Sequence, residues 1–207
     1  MSGTCKLLIG LTGGIGAGKT TAAQRFSKLG AFVLDADSVS RASLAPGGAC
    51  FSQVLEAFGT GIQCPDGGID RAALSRIVFS DPAAREKLNA IVHPHVIDSL
   101  LSQARAHLAQ SPCMPVVLDV PLLFECGMER DVDVSVLVAA SERIRVTRIC
   151  ARDGAREADA LARIRAQMPQ TDKERLADYV LYNDGPVEAL LGQTDAMYQR
   201  VLWQMQA

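Results

Sequence analysis

The sequence predicts an α/β protein: a three-layer fold in which helices cover both faces of a parallel sheet. Three observations carry that prediction. Short runs rich in Val, Ile and Leu recur along the 207 residues with helical patterns between most of them, as buried parallel strands require. One of these runs leads straight into a glycine-rich loop and then a helix. Acidic residues stand just after two of the runs, at the carboxyl ends of strands where such sheets gather their ligands. The length suits one α/β core with excursions better than two independent domains. A hydrophobic content of 48% with 21% charged residues is that of an ordinary soluble globule with a sizeable core.

The first strand is placed at Leu7–Leu11. It is followed by Gly13-Gly-Ile-Gly-Ala-Gly-Lys19-Thr20, which fits the phosphate-loop pattern G-x-x-x-x-G-K-[ST]. The fold class is therefore that of the P-loop NTPases. After Gly18 a helical pattern (Ala22, Ala23, Phe26, Leu29) runs to Gly30, which ends it as a C′ glycine. Strand, loop and helix N-terminus present backbone N–H groups and a positive dipole end to an anion. Gly14, Ile15, Gly16, Ala17, Gly18, Lys19, Thr20 and Thr21 are thus the expected binding set for a nucleoside triphosphate, with Lys19 on the β/γ-phosphates and the Thr20 hydroxyl on Mg²⁺. G-x-G-x-x-G is absent because Lys19 stands where its third glycine would be, which argues against a dinucleotide fold.

The second strand, Ala31–Leu34, runs into Asp35-Ala36-Asp37. A carboxylate there suits a general base for an attacking hydroxyl, and two acids so close suit Mg²⁺ held through water. The competing reading is helix capping, which accounts for one aspartate but not for both. Arg41, four residues after Asp37, shares a helical face with it, to pair with it or to reach phosphate. Residues 38–111 are too long for one crossover. They are read as a helical substrate-binding insertion with a loop at Gly59–Gly68 and a helix-ending turn at Ala45-Pro-Gly-Gly48. Within it, His93 and His95 flank Pro94 and do not share a helical face, so a structural role is expected, with Pro94 in the first turn of a helix.

The third strand, Val116–Val120, carries Asp119 at its end, as a Walker B acid ordering magnesium water would stand. The apolar segment after it ends at Glu125, evenly balanced between site and surface. A fourth strand is expected at Val132–Ala139 and a fifth at Tyr179–Tyr182. Between them, residues 143–165 hold seven arginines, three acids and no lysine, a local excess of four positive charges. Only guanidinium forks onto phosphate bidentately, and Arg148 and Arg152 share a face, so the segment is read as an arginine-rich, phosphate-clamping lid. Trp203, in the last helix, is expected in core or edge packing. The expected organisation is one domain: a core of about 1–37, 112–141 and 166–207, an insertion of about 38–111 and a lid of about 142–165.

A net charge of −2 and a pI of about 5.9 give no global field for nucleic acid or anionic membrane. Six scattered cysteines (Cys5, Cys50, Cys64, Cys113, Cys126 and Cys150) form no C-x-x-C pair and suggest thiols in a reducing compartment. No secretory signal and no run near the ~20 apolar residues of a membrane span are evident, so a cytoplasmic location is expected. No obligatory protein partner is indicated.

Taken in order, several steps resemble the dephospho-coenzyme A kinase family. They are Leu11-Thr-Gly-Gly-Ile-Gly-Ala-Gly-Lys-Thr-Thr21, Leu34-Asp-Ala-Asp37 with Arg41, Ile69-Asp-Arg71 with Leu74 and Val78-Phe79, and Leu88-Asn-Ala-Ile-Val-His-Pro94. Pro121-Leu-Leu-Phe-Glu125, Arg148 with Arg152-Asp153, Arg163 with Gln167, Ala177-Asp-Tyr-Val and Asn183-Asp-Gly185 complete the run over nearly the whole chain. The glycine loop is shared by many ATPases; the D-A-D-x-x-x-R, V-H-P and P-L-L-F-E steps together are specific. The resemblance implies ATP- and Mg²⁺-dependent phosphorylation of the ribose 3′-hydroxyl of dephospho-CoA. It implies Asp37 as base with Lys19 and Arg152 in catalysis, Arg148 and Asn183 at the nucleotide, and Asp35, Arg41, Arg71, His93 and Glu125 on the substrate side. Thr20 would ligate Mg²⁺, with Asp37 or Asp119 through water.

Another small-metabolite or nucleoside kinase would share loop, acid and lid and differ in the insertion. A regulatory GTPase would carry N-K-x-D, and the nearest run, Asn183-Asp-Gly, lacks the lysine. A motor or transporter ATPase would need partners and a longer chain.

Overall fold

The computed structural model describes residues 6–205. Cys5 lies outside them. The Cα packing divides the chain into two compact units, one running to Leu34 and resuming at Ala104, the other Asp35–Gln103.

The first unit is built on a five-stranded sheet in the order β2-β3-β1-β4-β5. Its strands are β1 (Leu8–Gly13), β2 (Phe32–Asp35), β3 (Val116–Asp119), β4 (Val134–Ala139) and β5 (Tyr179–Tyr182). β1 pairs in parallel with β3 (Leu8 opposite Val116) and with β4 (Ile9 opposite Val134), and β4 pairs in parallel with β5 (Val136 opposite Tyr179). All five sequence-expected strands are present, each end within two residues of its expected place and β5 coinciding at both ends. β1 is buried along its whole length, as a strand covered on both faces must be.

Alternation along the strands then sorts the side chains into two layers. On one face Ile9, Leu11, Val117, Val136, Val138 and Leu181 form a core with α1 (Lys19–Lys28) and α9 (Val187–Gln204). There Phe26 and Tyr198 meet edge to face, 5.6 Å between centroids. On the other face Gly10 leaves room for Leu123, whose methyls lie 3.0 Å from where a Cβ would stand. α6 (Glu142–Asp153), α7 (Glu157–Arg165) and α8 (Gln170–Leu176) lie between β4 and β5 in the chain. α1 ends as expected, with Gly30 at φ 93°.

The second unit is helical: α2 (Ala36–Ser43), α3 (Phe51–Phe58), α4 (Arg71–Ser80) and most of α5 (Pro82–Gln110), around buried Val54, Ile62, Leu74, Val92, Val96 and Leu100. α4 starts where it does because the Asp70 carboxylate accepts from the amides of Ala72 (2.9 Å) and Ala73 (3.0 Å), a cap whose loss typically costs ~1 kcal/mol.

Two expectations are corrected. Pro94 does not open a helix but lies inside the 29-residue α5. The helix-starting proline is Pro82, with the Asp81 carboxylate accepting from the Ala83 amide at 2.8 Å. Trp203 is 70% exposed, because the buried stripe of α9 (Leu190, Thr194, Met197, Tyr198, Val201) turns it outward. No disulfide joins the described cysteines. No helix among the described residues is long and apolar enough to cross a membrane.

Candidate active site

The loop after β1 is a tight cradle whose glycines are required by geometry. Gly18 caps α1 at φ 102°, in the left-handed region, and a Cβ there would fall on the Asn183 amide nitrogen. A Cβ on Gly14 would fall on the Arg145 guanidinium. Ala17 N–H closes the loop on the Gly14 carbonyl at 2.9 Å. In the first turn of α1 the Thr21 amide turns back to the Gly18 carbonyl at 3.0 Å, whereas among the described residues the amides of Gly16 and Gly18 donate to nothing. That leaves inward N–H groups at a helix N-terminus, an anion-binding arrangement.

Lys19, the first residue of α1, forms an ion pair with Asp119 at the end of β3, both side chains largely buried. Thr20 is exposed in the first turn. Among the described residues no cluster of three His, Cys, Asp or Glu could hold a metal unaided. The hydroxyl of Thr20 and the carboxylate of Asp119 are hard oxygen donors of the kind Mg²⁺ takes when phosphate oxygens and water complete its shell, and they fit such an ion.

Behind the loop stands a set of side chains from distant sequence. Asn183, buried at the end of β5, donates to the Ala17 carbonyl at 2.7 Å, and its own N–H reaches the Ala139 carbonyl at 2.8 Å. Arg148 donates from Nη1 to the carbonyls of Gly16 (3.3 Å) and Ala17 (3.4 Å), and from Nη2 to the Asn183 carbonyl (3.0 Å). Arg148 and Asn183, for which the resemblance implies a place at the nucleotide, both hydrogen-bond to carbonyls of the glycine loop. Arg145 donates from Nε to the Ile15 carbonyl at 2.9 Å, while Gln167 Oε1 accepts from the Ile15 amide at 2.9 Å and from Arg145 Nη2 at 3.3 Å. Neither Arg145 nor Gln167 was singled out for the site. Arg145 is three residues before Arg148, on the face that Arg148 and Arg152 share, and that spacing was the available signal.

Arg152 is exposed and forks onto the adjacent Asp153 (2.7 and 3.0 Å), which also accepts from Arg163 at 2.8 Å. The Arg152 hydrogen bonds, then the charges of Arg152 and Arg163, hold the Asp153 carboxyl below its usual range.

In the helical unit, Asp35, Arg41 and Arg71 are brought together. Asp35 is the N-cap of α2: Oδ1 accepts from the Asp37 amide (3.0 Å), and Oδ2 from the Ser38 hydroxyl (2.6 Å) and Arg41 Nη2 (3.2 Å). Arg71 Nη2 donates to the Arg41 carbonyl at 3.1 Å. Arg41 thus pairs with Asp35 and not, as its spacing suggested, with Asp37, because the cap turns the Asp35 carboxylate back over the first turn. Asp37 is exposed, and its carboxylate has no hydrogen-bond or ion-pair partner among the described residues. His93 lies in α5, half-buried, and burial lowers its pKa and favours the neutral ring.

Glu125 pairs with Lys173 of α8 at 2.7 Å, and its Oε1 accepts from the Met168 amide at 3.4 Å. The Lys173 side chain is 2% exposed, and nothing in its local sequence marked it. Lys173→Met should leave the Glu125 carboxylate without its cation and cost ~3–5 kcal/mol of stability. Urea denaturation checks this; a loss under ~1 kcal/mol would contradict it.

Residues 7–189 match the family model described as dephospho-CoA kinase. A dephospho-CoA kinase of Geobacillus kaustophilus is 44% identical over 198 residues, spanning 92% of this chain and 98% of that protein. The crystal structure of TT1252 from Thermus thermophilus is 38% identical with a TM-score of 0.79, covering 94% of this chain and 97% of that one. Shikimate kinase from Acinetobacter baumannii, 16% identical with a TM-score of 0.54 over 96% of this chain and 94% of its own, shares the fold.

Proposed function

This chain belongs to the dephospho-CoA kinase family, and from that premise we propose that it transfers the γ-phosphoryl group of ATP to the ribose 3′-hydroxyl of dephospho-CoA, the last step of coenzyme A biosynthesis. The observation that carries the mechanism is the division of labour between the two aspartates after β2. Asp35 is occupied by the α2 cap, whereas the Asp37 carboxylate is exposed and uncommitted. Asp37 accordingly accepts the 3′-hydroxyl proton as that oxygen attacks the γ-phosphorus and the bond to the β,γ-bridging oxygen breaks, releasing ADP. The loop from Gly14 to Thr21 binds the phosphates through backbone N–H groups, and Lys19 exchanges Asp119 for phosphate oxygens. Arg148 and Asn183 hold the loop carbonyls at the back of that site.

Mg²⁺ bound with the nucleotide would be held by the Thr20 hydroxyl, with Asp119 or Asp37 through water, and would neutralise charge between the β- and γ-phosphates. Asp35, Arg41, Arg71, His93 and Glu125 form the substrate side, Arg41 and Arg71 supplying positive charge for an acceptor that is itself phosphorylated.

The test is a coupled ADP-release assay with ATP and a magnesium salt over dephospho-CoA, adenosine, pantothenate and shikimate. Release with dephospho-CoA alone is expected; equal release with shikimate or adenosine would sink the assignment.

Arg152 acts in this scheme as a clamp on the transferring phosphoryl group, leaving Asp153 for the nucleotide. Its exposure and the lysine-free stretch around it support that role. Arg152→Lys keeps the charge and loses the planar fork, so kcat should fall by more than KM for dephospho-CoA changes. Steady-state kinetics in both substrates decides this, and wild-type kcat would reduce Arg152 to a solvated charge.

A further inference from the structure

Ile15 of the phosphate loop is held at both its amide and its carbonyl, and from one direction. Its amide donates to Gln167 Oε1 (2.9 Å), its carbonyl accepts from Arg145 Nε (2.9 Å), and its side chain packs on the α6–α7 cluster of Val146, Ile149, Ala160 and Ile164. Arg145 and Gln167 are themselves joined at 3.3 Å. Both peptide groups flanking Ile15 are therefore oriented by side chains from α6 and from the segment after α7.

The charge at this point is unusual. Arg145 is 5% exposed, and among the described residues no carboxylate lies within ion-pair distance of it. Its acceptors are neutral, a peptide carbonyl and an amide oxygen. Burial pulls its pKa down, with Glu142 one turn away only partly opposing that. A guanidinium held by neutral acceptors keeps its full positive charge in a poorly solvated place. Here that place adjoins Gly14, where a Cβ would meet the guanidinium. The closest ligand this charge can favour is an anion in the loop.

We infer that Arg145 is a positioning residue for the phosphates of a bound nucleotide, fixing the Ile15 peptide together with Gln167 and adding a buried positive charge behind the loop. The inference rests on the loop being the nucleotide site, and it assigns to α6 a role separate from that of Arg152. Through the same contacts, any displacement of α6 and α7 is transmitted to the loop, since Ile15 cannot follow one without the other.

The experiment is calorimetric titration of ADP into the wild-type chain, Arg145→Gln, Arg145→Lys and Gln167→Ala, with thermal melting of each. Arg145→Gln should weaken ADP about 10- to 100-fold, the range of a hydrogen bond to a charged group. Arg145→Lys, which keeps the charge, should recover part of that loss, and Gln167→Ala should weaken ADP less than Arg145→Gln does. In turnover, KM for ATP should rise while KM for dephospho-CoA stays at its wild-type value. A folded Arg145→Gln with wild-type ADP affinity and a lowered melting temperature would overturn the inference and leave Arg145 a structural residue. If Arg145→Gln does not fold, unchanged ADP affinity in both Arg145→Lys and Gln167→Ala overturns it equally. A wild-type chain that does not bind ADP would instead overturn the nucleotide reading of the loop.

Discussion

Asp37→Asn should lower kcat by about 10²–10⁴-fold while leaving ATP affinity close to wild type, the contribution expected of a positioned general base. Asparagine keeps the size and one acceptor oxygen and removes only the basicity. The structure sharpens the control. Asp35 accepts three hydrogen bonds at the start of α2, so Asp35→Asn should weaken the helix cap and the contact with Arg41, and show first in stability. Asp37 has no such duty among the described residues, so Asp37→Asn should melt within a degree or two of wild type. Turnover and melting measured on both variants decide the matter. Greater loss of turnover per folded molecule in Asp35→Asn would reverse the assignment.

Lys19→Ala should lose transfer by about 10²–10³-fold or more, since removal of a single preorganised charge-stabilising group is commonly worth that much. From sequence, this lysine is a ligand-facing charge that the fold does not need. Its ion pair with Asp119, the two side chains 14% and 10% exposed, adds a second consequence. Removing the ammonium leaves the carboxylate in a largely buried place, so Lys19→Ala should also melt lower than wild type. The double variant Lys19→Met/Asp119→Asn removes both charges and should recover most of the lost stability while remaining inactive. Activity returning with stability in the double variant would mean that Lys19 serves the fold and not the nucleotide.

The parts legible in the sequence are those where local geometry dictates residue type. Gly18 must be glycine because its φ is left-handed and Asn183 crowds its Cα, so the loop announces itself. β1 and β3 are buried throughout and read as apolar runs that give way only near their carboxyl ends, at Thr12 and Asp119. What escaped the sequence depends on partners far along the chain. Arg145 meets Ile15 across 130 residues, and Lys173 of α8 meets Glu125 in the turns after β3. Spacing rules reach only one turn of helix, and even there a cap won: Arg41 turned to Asp35 where i,i+4 pointed to Asp37. The misplaced start of α5 had a readable remedy, because Asp81-Pro82 is an N-cap followed by a first-turn proline and outranks His93-Pro94 as a beginning. Trp203 stays out of the core although it follows Val201 and Leu202, because the spacing of Leu190, Thr194, Met197, Tyr198 and Val201 puts position 203 off the packed stripe.

The most direct test of the central claim is to locate the phosphate that the chain transfers. Phosphorus NMR of the product formed from ATP and dephospho-CoA should show one new monoester coupled to the ribose 3′ position, with one ADP formed for each. That product should form with the wild-type chain and, at the same enzyme concentration and time, be reduced to trace by Asp37→Asn. Phosphate on any other hydroxyl, or ADP formed while dephospho-CoA stays unmodified, would contradict the account.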